Sequence, residues 1–66
     1  MKNNIKIQRA IHQMTQEELA QKLSVSRQTI HAMESGKYVP STVLALKVAK
    51  VFGKSVEEIF MLEKWD

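Results

Sequence analysis

Cysteine is absent from this 66-residue chain, which excludes disulfides, thiolate zinc sites and a cysteine nucleophile together. His12 and His31 are then the only strong metal ligands, and neither a metal site nor a cofactor is expected. Aspartate occurs once, at Asp66. With no glycine-rich phosphate loop, no nucleophile elbow and no paired inward carboxylates, the sequence argues against an enzyme. No uninterrupted apolar stretch follows Lys2 and Lys6, so the start reads as neither a secretory signal nor a membrane anchor, and a cytoplasmic protein is expected. Repeats, low-complexity runs and Gly/Ser linkers are missing too, and the single proline and two glycines fall where they punctuate helices.

What remains is globular in balance, with 44% apolar and 26% charged residues. The length allows one small domain, marginal by itself and therefore a candidate for a partner chain. The formal net charge is +3, but it is unevenly spread. Residues 1 to 56 hold nine basic and three acidic side chains, whereas residues 57 to 66 hold one basic and four acidic. A basic body suited to an anionic partner carries an acidic tail.

Helix signals account for almost the whole chain. Asn3 or Asn4 can cap a first helix from about Ile5 to Gln13, with Ile7, Ala10, Ile11 and Met14 at helical spacing. Thr15-Gln16-Glu17-Glu18 is a capping box opening a second helix that runs to about Leu23 and buries Leu19, Ala20 and Leu23. Ser24-Val25-Ser26 is a tight turn, Ser26 caps a third helix from Arg27 to about Ser35, and Gly36 ends it. Ser41 caps a fourth helix, Thr42 to Phe52, stopped by Gly53. A second capping box, Ser55-Val56-Glu57-Glu58, opens a short fifth helix toward Phe60 or Met61. The expected class is all-α, with weak strand alternation only at the termini.

Two short helices joined by a three-residue turn follow the plan of a helix-turn-helix. At about 100° per residue, Ser26, Met33 and Glu34 lie within about 60° of Ile30 on the third helix, while Gln28, His31, Ala32 and Ser35 fall on the other side. One side packs; the other is polar and carries no acidic side chain, as entry into the negatively charged major groove demands.

Taken together, Thr15-Gln16-Glu17-Glu18-Leu19-Ala20, Val25-Ser26-Arg27-Gln28-Thr29-Ile30, Glu34-Ser35-Gly36-Lys37-Tyr38, Pro40-Ser41 and Leu44-Ala45-Leu46-Lys47-Val48-Ala49 resemble the Cro and phage-repressor type of helix-turn-helix, the XRE family, over about Ile5 to Ile59. The resemblance implies a five-helix, lambda-repressor-like DNA-binding domain, usually dimeric, acting as a transcriptional regulator, with repression the default. It implies that Gln16 contacts phosphate and that Ser26, Arg27, Gln28 and Ala32 lie at the groove, where Arg27 suits guanine and Gln28 adenine. His31 would meet base or phosphate there, or stand merely exposed. Ser35, Gly36 and Lys37 match phosphate-facing positions, with Lys6 a weaker candidate on the other flank. Arg9 and Glu34 match positions that form an ion pair between the first and third helices in some relatives. Three residues depart from the pattern: Ser24 where glycine is common, Gln8 where an aliphatic is usual, and Val39 where asparagine is frequent. They bear on geometry, and Gln8 beside Ile7 raises the prospect of a rotated first helix.

The fourth helix is apolar almost all round and so should be covered, and the tail adds Phe60, Met61, Leu62 and Trp65. The expected division is a DNA-binding domain over residues 5–59, with the motif at 16–35, and a tail over 60–66 serving dimerisation. A strand from Met61 to Lys64 pairing with Met1 to Asn3 would accompany it. A homodimer would read a near-palindromic operator in double-stranded DNA, and no small-molecule ligand is implied. The rival reading is a protein-interaction module, such as an antitoxin half or a coactivator-like adaptor.

Overall fold

Capping dictates where the helices of the computed structural model, which describes residues 1–66, begin. Thr15 Oγ1 accepts from the Glu18 N–H at 3.0 Å and the Glu18 carboxylate accepts from the Thr15 N–H at 3.0 Å, which starts α2 (Gln16–Leu23). Ser55 and Glu58 repeat the arrangement at α5 (Val56–Ile59). Ser26 caps α3 (Arg27–Glu34) and Ser41 caps α4 (Thr42–Phe52), each through its hydroxyl. α1 (Ile5–Ile11) differs, because Asn4 lends no side-chain cap and Asn3 Oδ1 accepts from the Ile5 N–H instead.

Helix ends share one device. After α1, α2, α3 and α4 a residue takes positive φ and two turn amides close back on the last carbonyls, as Ser24 to Gln21 and Val25 to Ala20 do after α2. Glycine serves at Gly36 and Gly53, but Gln13 at φ 52° and Ser24 at φ 57° adopt the same left-handed backbone with a side chain. Ser24, where glycine is common in the family, therefore carries mild backbone strain, and Gln13 shares it. Because Gln13 turns the chain, α1 stops at Ile11 rather than running to Gln13.

The termini meet in a two-stranded antiparallel ribbon, β1 (Lys2–Asn3) with β2 (Phe60–Met61), pairing Lys2 with Met61 and Asn3 with Phe60. α5 therefore ends at Ile59, not at Phe60 or Met61, since Phe60 is extended. The ribbon also sits earlier than the Met61–Lys64 expected from the sequence. Beyond it the chain curls: the Glu63 N–H donates to the Asp66 carboxylate at 2.7 Å, and the Met1 ammonium pairs with Glu63 at 3.1 Å and Asp66 at 3.3 Å.

One core of twelve apolar residues fills the space between the helices, including Ile5, Leu19, Ile30, Met33, Val48 and Ile59, all essentially without solvent contact. α1 corrects the sequence reading. Its inward face is Ile5 and Gln8, with Arg9 half-buried and the His12 ring 5.3 Å from that of Phe52, while Ile7, Ala10 and Ile11 point outward. Gln8 thus occupies the place the usual aliphatic would take. α4 is not covered all round either, because Val43 and Leu46 are exposed. No helix is long and apolar enough to cross a membrane.

Candidate nucleic-acid interface

The turn after α2 sets the entry of α3. Val25 packs against the core as the plug of the turn, and the next residue, Ser26, already caps the following helix. Its Oγ accepts from the Thr29 N–H at 3.1 Å and lies 2.9 Å from Thr29 Oγ1, so this hydroxyl is engaged in starting α3. Ile30 and Met33 are the buried face of the helix. Arg27, Gln28 and His31 stand on the opposite face, exposed, with no intramolecular hydrogen bond from any of their side chains. Ala32 is half-buried at its edge.

Gln16 joins this face from α2. Together Gln16, Arg27, Gln28 and His31 line an open groove of about 330 Å³, apolar at none of its four residues. A second hollow of about 250 Å³ continues past Gln16 and His31 to Lys6, Arg9, Glu34 and Ser35. The N–H groups of Gln16 and Glu17, in the first turn of α2, have no acceptor within the chain and lie where the helix dipole is positive.

Glu34 is the one carboxylate lining either hollow, and its charge is locally matched. Arg9 grips both of its oxygens, with Nη2 donating at 3.1 Å, and sends Nη1 to the Met14 carbonyl at 3.0 Å. Gln16 Nε2 adds a third donor at 3.1 Å. Burial opposes ionisation of Glu34, yet the hydrogen bonds from Arg9 and Gln16 outweigh it and hold the carboxyl below its usual range. The Arg9 guanidinium is correspondingly held above its usual value by the bond to Glu34. The tie between Gln16 and Glu34 was not readable from sequence, since nothing local to either residue signals the other 18 positions away.

The remaining candidates lie around this face. Ser35 is exposed, its hydroxyl donating to the Ala32 carbonyl at 3.0 Å, and Gly36, Lys37 and Lys6 are exposed with no ion-pair partner. The tail residues separate: Phe60 is only 7% exposed and belongs to the core, so it is not available to the interface expected of it, whereas Met61, Leu62 and Trp65 are exposed. No three His, Asp or Glu side chains come together as a metal site.

Against known families, residues 5–59 match the helix-turn-helix model. The chain belongs to the XRE-type helix-turn-helix family. That family is a non-enzymatic, DNA-binding class of transcriptional regulators. Among similar proteins, an uncharacterised HTH-type transcriptional regulator of Methanocaldococcus jannaschii is 60% identical over 63 residues, 96% of either chain. One of Bacillus subtilis is 47% identical over 64 residues, 97% of either chain, and one of Archaeoglobus fulgidus is 48% identical over 64 residues, 97% of this chain and 90% of its own.

Proposed function

We propose that this protein is a cytoplasmic repressor that binds a near-palindromic operator as a homodimer, laying α3 in the major groove. Arg27 and Gln28 read base edges, with Ser26 and Ala32 at close approach and His31 at base or phosphate. Gln16 takes a phosphate through its free amide hydrogen and the unpaired N–H groups at the start of α2, and Lys37, Ser35 and Lys6 contact the backbone on either side. The observation that carries this reading is the groove itself: two side chains able to bond bases bidentately stand free beside Gln16, and Arg9 neutralises the only nearby carboxylate.

In this reading residues 5–59 bind DNA, and the dimer forms through the exposed Met61, Leu62 and Trp65 of the tail. Leu62 at 81% and Trp65 at 78% exposed favour it, since apolar side chains of this size are costly to leave in water. Two-fold pairing sets the recognition helices about 34 Å apart, one turn of DNA.

Selection of bound sequences from a random double-stranded pool tests the proposal by yielding inverted half-sites. The double variant Arg27→Ala, Gln28→Ala then loses the selected site while keeping nonspecific binding. Undiminished discrimination in that variant overturns the assignment and turns attention to a protein-interaction role.

A further inference from the structure

Asn3 links the terminal ribbon, the start of α1 and the end of α3. Its Oδ1 accepts from the Ile5 N–H at 3.2 Å, its Nδ2 donates to the Met33 carbonyl at 2.8 Å, and its backbone stands opposite Phe60 in the ribbon. We propose that Asn3 is a positioning residue for DNA recognition: it ties the terminal ribbon to the C-terminal end of α3 and thereby sets the angle at which Arg27 and Gln28 meet the groove. The inference rests on α3 being the element that reads DNA.

The chemistry explains the residue type. One short side chain must present an acceptor to an amide and a donor to a carbonyl in two different directions, and a carboxamide does so from two separate atoms, Oδ1 and Nδ2. Met33 belongs to the last turn of α3, where carbonyls lack helical partners; the turn amide of Gly36 satisfies the same oxygen at 3.1 Å, and Asn3 supplies the long-range bond across 30 residues. The other side chains that bond α3 to earlier parts of the chain, Arg9 and Gln16, both act at the neighbouring residue, Glu34. These anchors therefore hold the C-terminal end of α3, while Arg27 and Gln28 project from the other, with Arg27 about 9 Å along the helix from Met33. A tilt of about 7° about those anchors displaces the Arg27 backbone by about 1 Å over that lever, enough to spoil a bidentate contact whose tolerance is a few tenths of an ångström. Because Asn3 is paired with the first residue of β2, a displacement of the tail reaches α3 through it.

Asn3→Asp separates the two bonds, since the carboxylate still caps Ile5 but has no hydrogen for Met33. Asn3→Ala removes both without adding charge, and serves if the aspartate variant does not fold. Affinities for an operator selected from the random pool and for sonicated heterologous DNA are measured at a temperature where circular dichroism shows each variant folded. Lost folding or an added negative charge lowers both affinities together, so their ratio isolates positioning. The expected result is a ratio lowered about 5- to 30-fold, part of what one bidentate pair contributes, with nonspecific affinity of Asn3→Ala within about twofold of the parent. A ratio unchanged in the Asn3 variants but reduced by Arg27→Ala overturns the positioning role and leaves the reading of α3 standing. A ratio unchanged in Arg27→Ala as well overturns that reading and this inference with it.

Discussion

Arg9 on α1 and Glu34 on α3 form a bidentate ion pair that turns the only carboxylate lining the two hollows of α2 and α3 into a structural strut. Their side chains are 14% and 8% exposed, so both charges depend on each other more than a surface pair does. The same carboxylate holds Gln16, which couples the first turn of α2 to the last turn of α3.

Removing one partner should expose that dependence. Arg9→Met leaves Glu34 partly buried with Gln16 alone and should cost about 2 to 3 kcal/mol, below the range for a fully buried pair because one edge is open. Adding Glu34→Leu should recover a large part of the loss. Urea unfolding of the two single variants and the double variant at one protein concentration gives the coupling; strictly additive losses contradict the strut.

Acid should loosen the protein through the same group. Glu34 is ionised more readily folded than unfolded, so its contribution is complete above the ordinary glutamate range near 4.5 and is lost as pH falls through the lower folded value. Glu18 and Glu58, held low by the N–H and hydroxyl of Thr15 and Ser55, act in the same direction. The Met1 ammonium is raised chiefly by Glu63, so its contribution is present below pH 8.0 and fades as pH rises past that. Melting temperatures between pH 2 and 10 should therefore fall at both ends, and Glu34→Gln should flatten the acid limb.

Gln8 offers a gain. It is 7% exposed and its Oε1 is buried without a hydrogen-bond partner. Gln8→Leu removes an unsatisfied acceptor and adds apolar contact, and should stabilise by about 1 to 2 kcal/mol. Thermal melts should rise by about 4 to 8 °C per kcal/mol for a domain of this size. A lower melting temperature contradicts the orphaned-acceptor account.

Dimer and phosphate contacts are read together in salt. If two subunits neutralise about six to eight phosphates, affinity for the selected operator should fall about 10³- to 10⁴-fold between 50 and 200 mM salt. Leu62→Ser with Trp65→Ser should sediment as a monomer, bind one half-site and show about half the slope. Sedimentation and fluorescence anisotropy check both halves, and a parent chain that is monomeric at micromolar concentration refutes the tail interface.

The exposed face of α2 and α3 was legible in sequence as far as its residues act alone. Arg27, Gln28 and His31 are outward because Ile30 and Met33 are inward, a matter of helical period. Gln16 was placed by its position in the first turn of α2, but its bond to Glu34 needed the packed helices. Phe60 looked like tail by position and proved to be core, because ribbon pairing with Asn3 turns its side chain inward.

By itself the sequence determined the helix starts and most helix ends, since a cap or a left-handed turn is decided by hydrogen bonds among residues three to five apart. Tertiary structure decided which side of α1 is buried. The ribbon and the Asn4 N–H bond to the Ile59 carbonyl at 3.0 Å fix the chain where it enters α1, which seats Ile5 in the core. With Ile5 inward, a turn of about 100° per residue carries Gln8, Arg9 and His12 to the same side and sends Ile7 and Ile11 outward, whatever their hydrophobicity. That contact spans 55 residues of chain, and no local pattern encodes it.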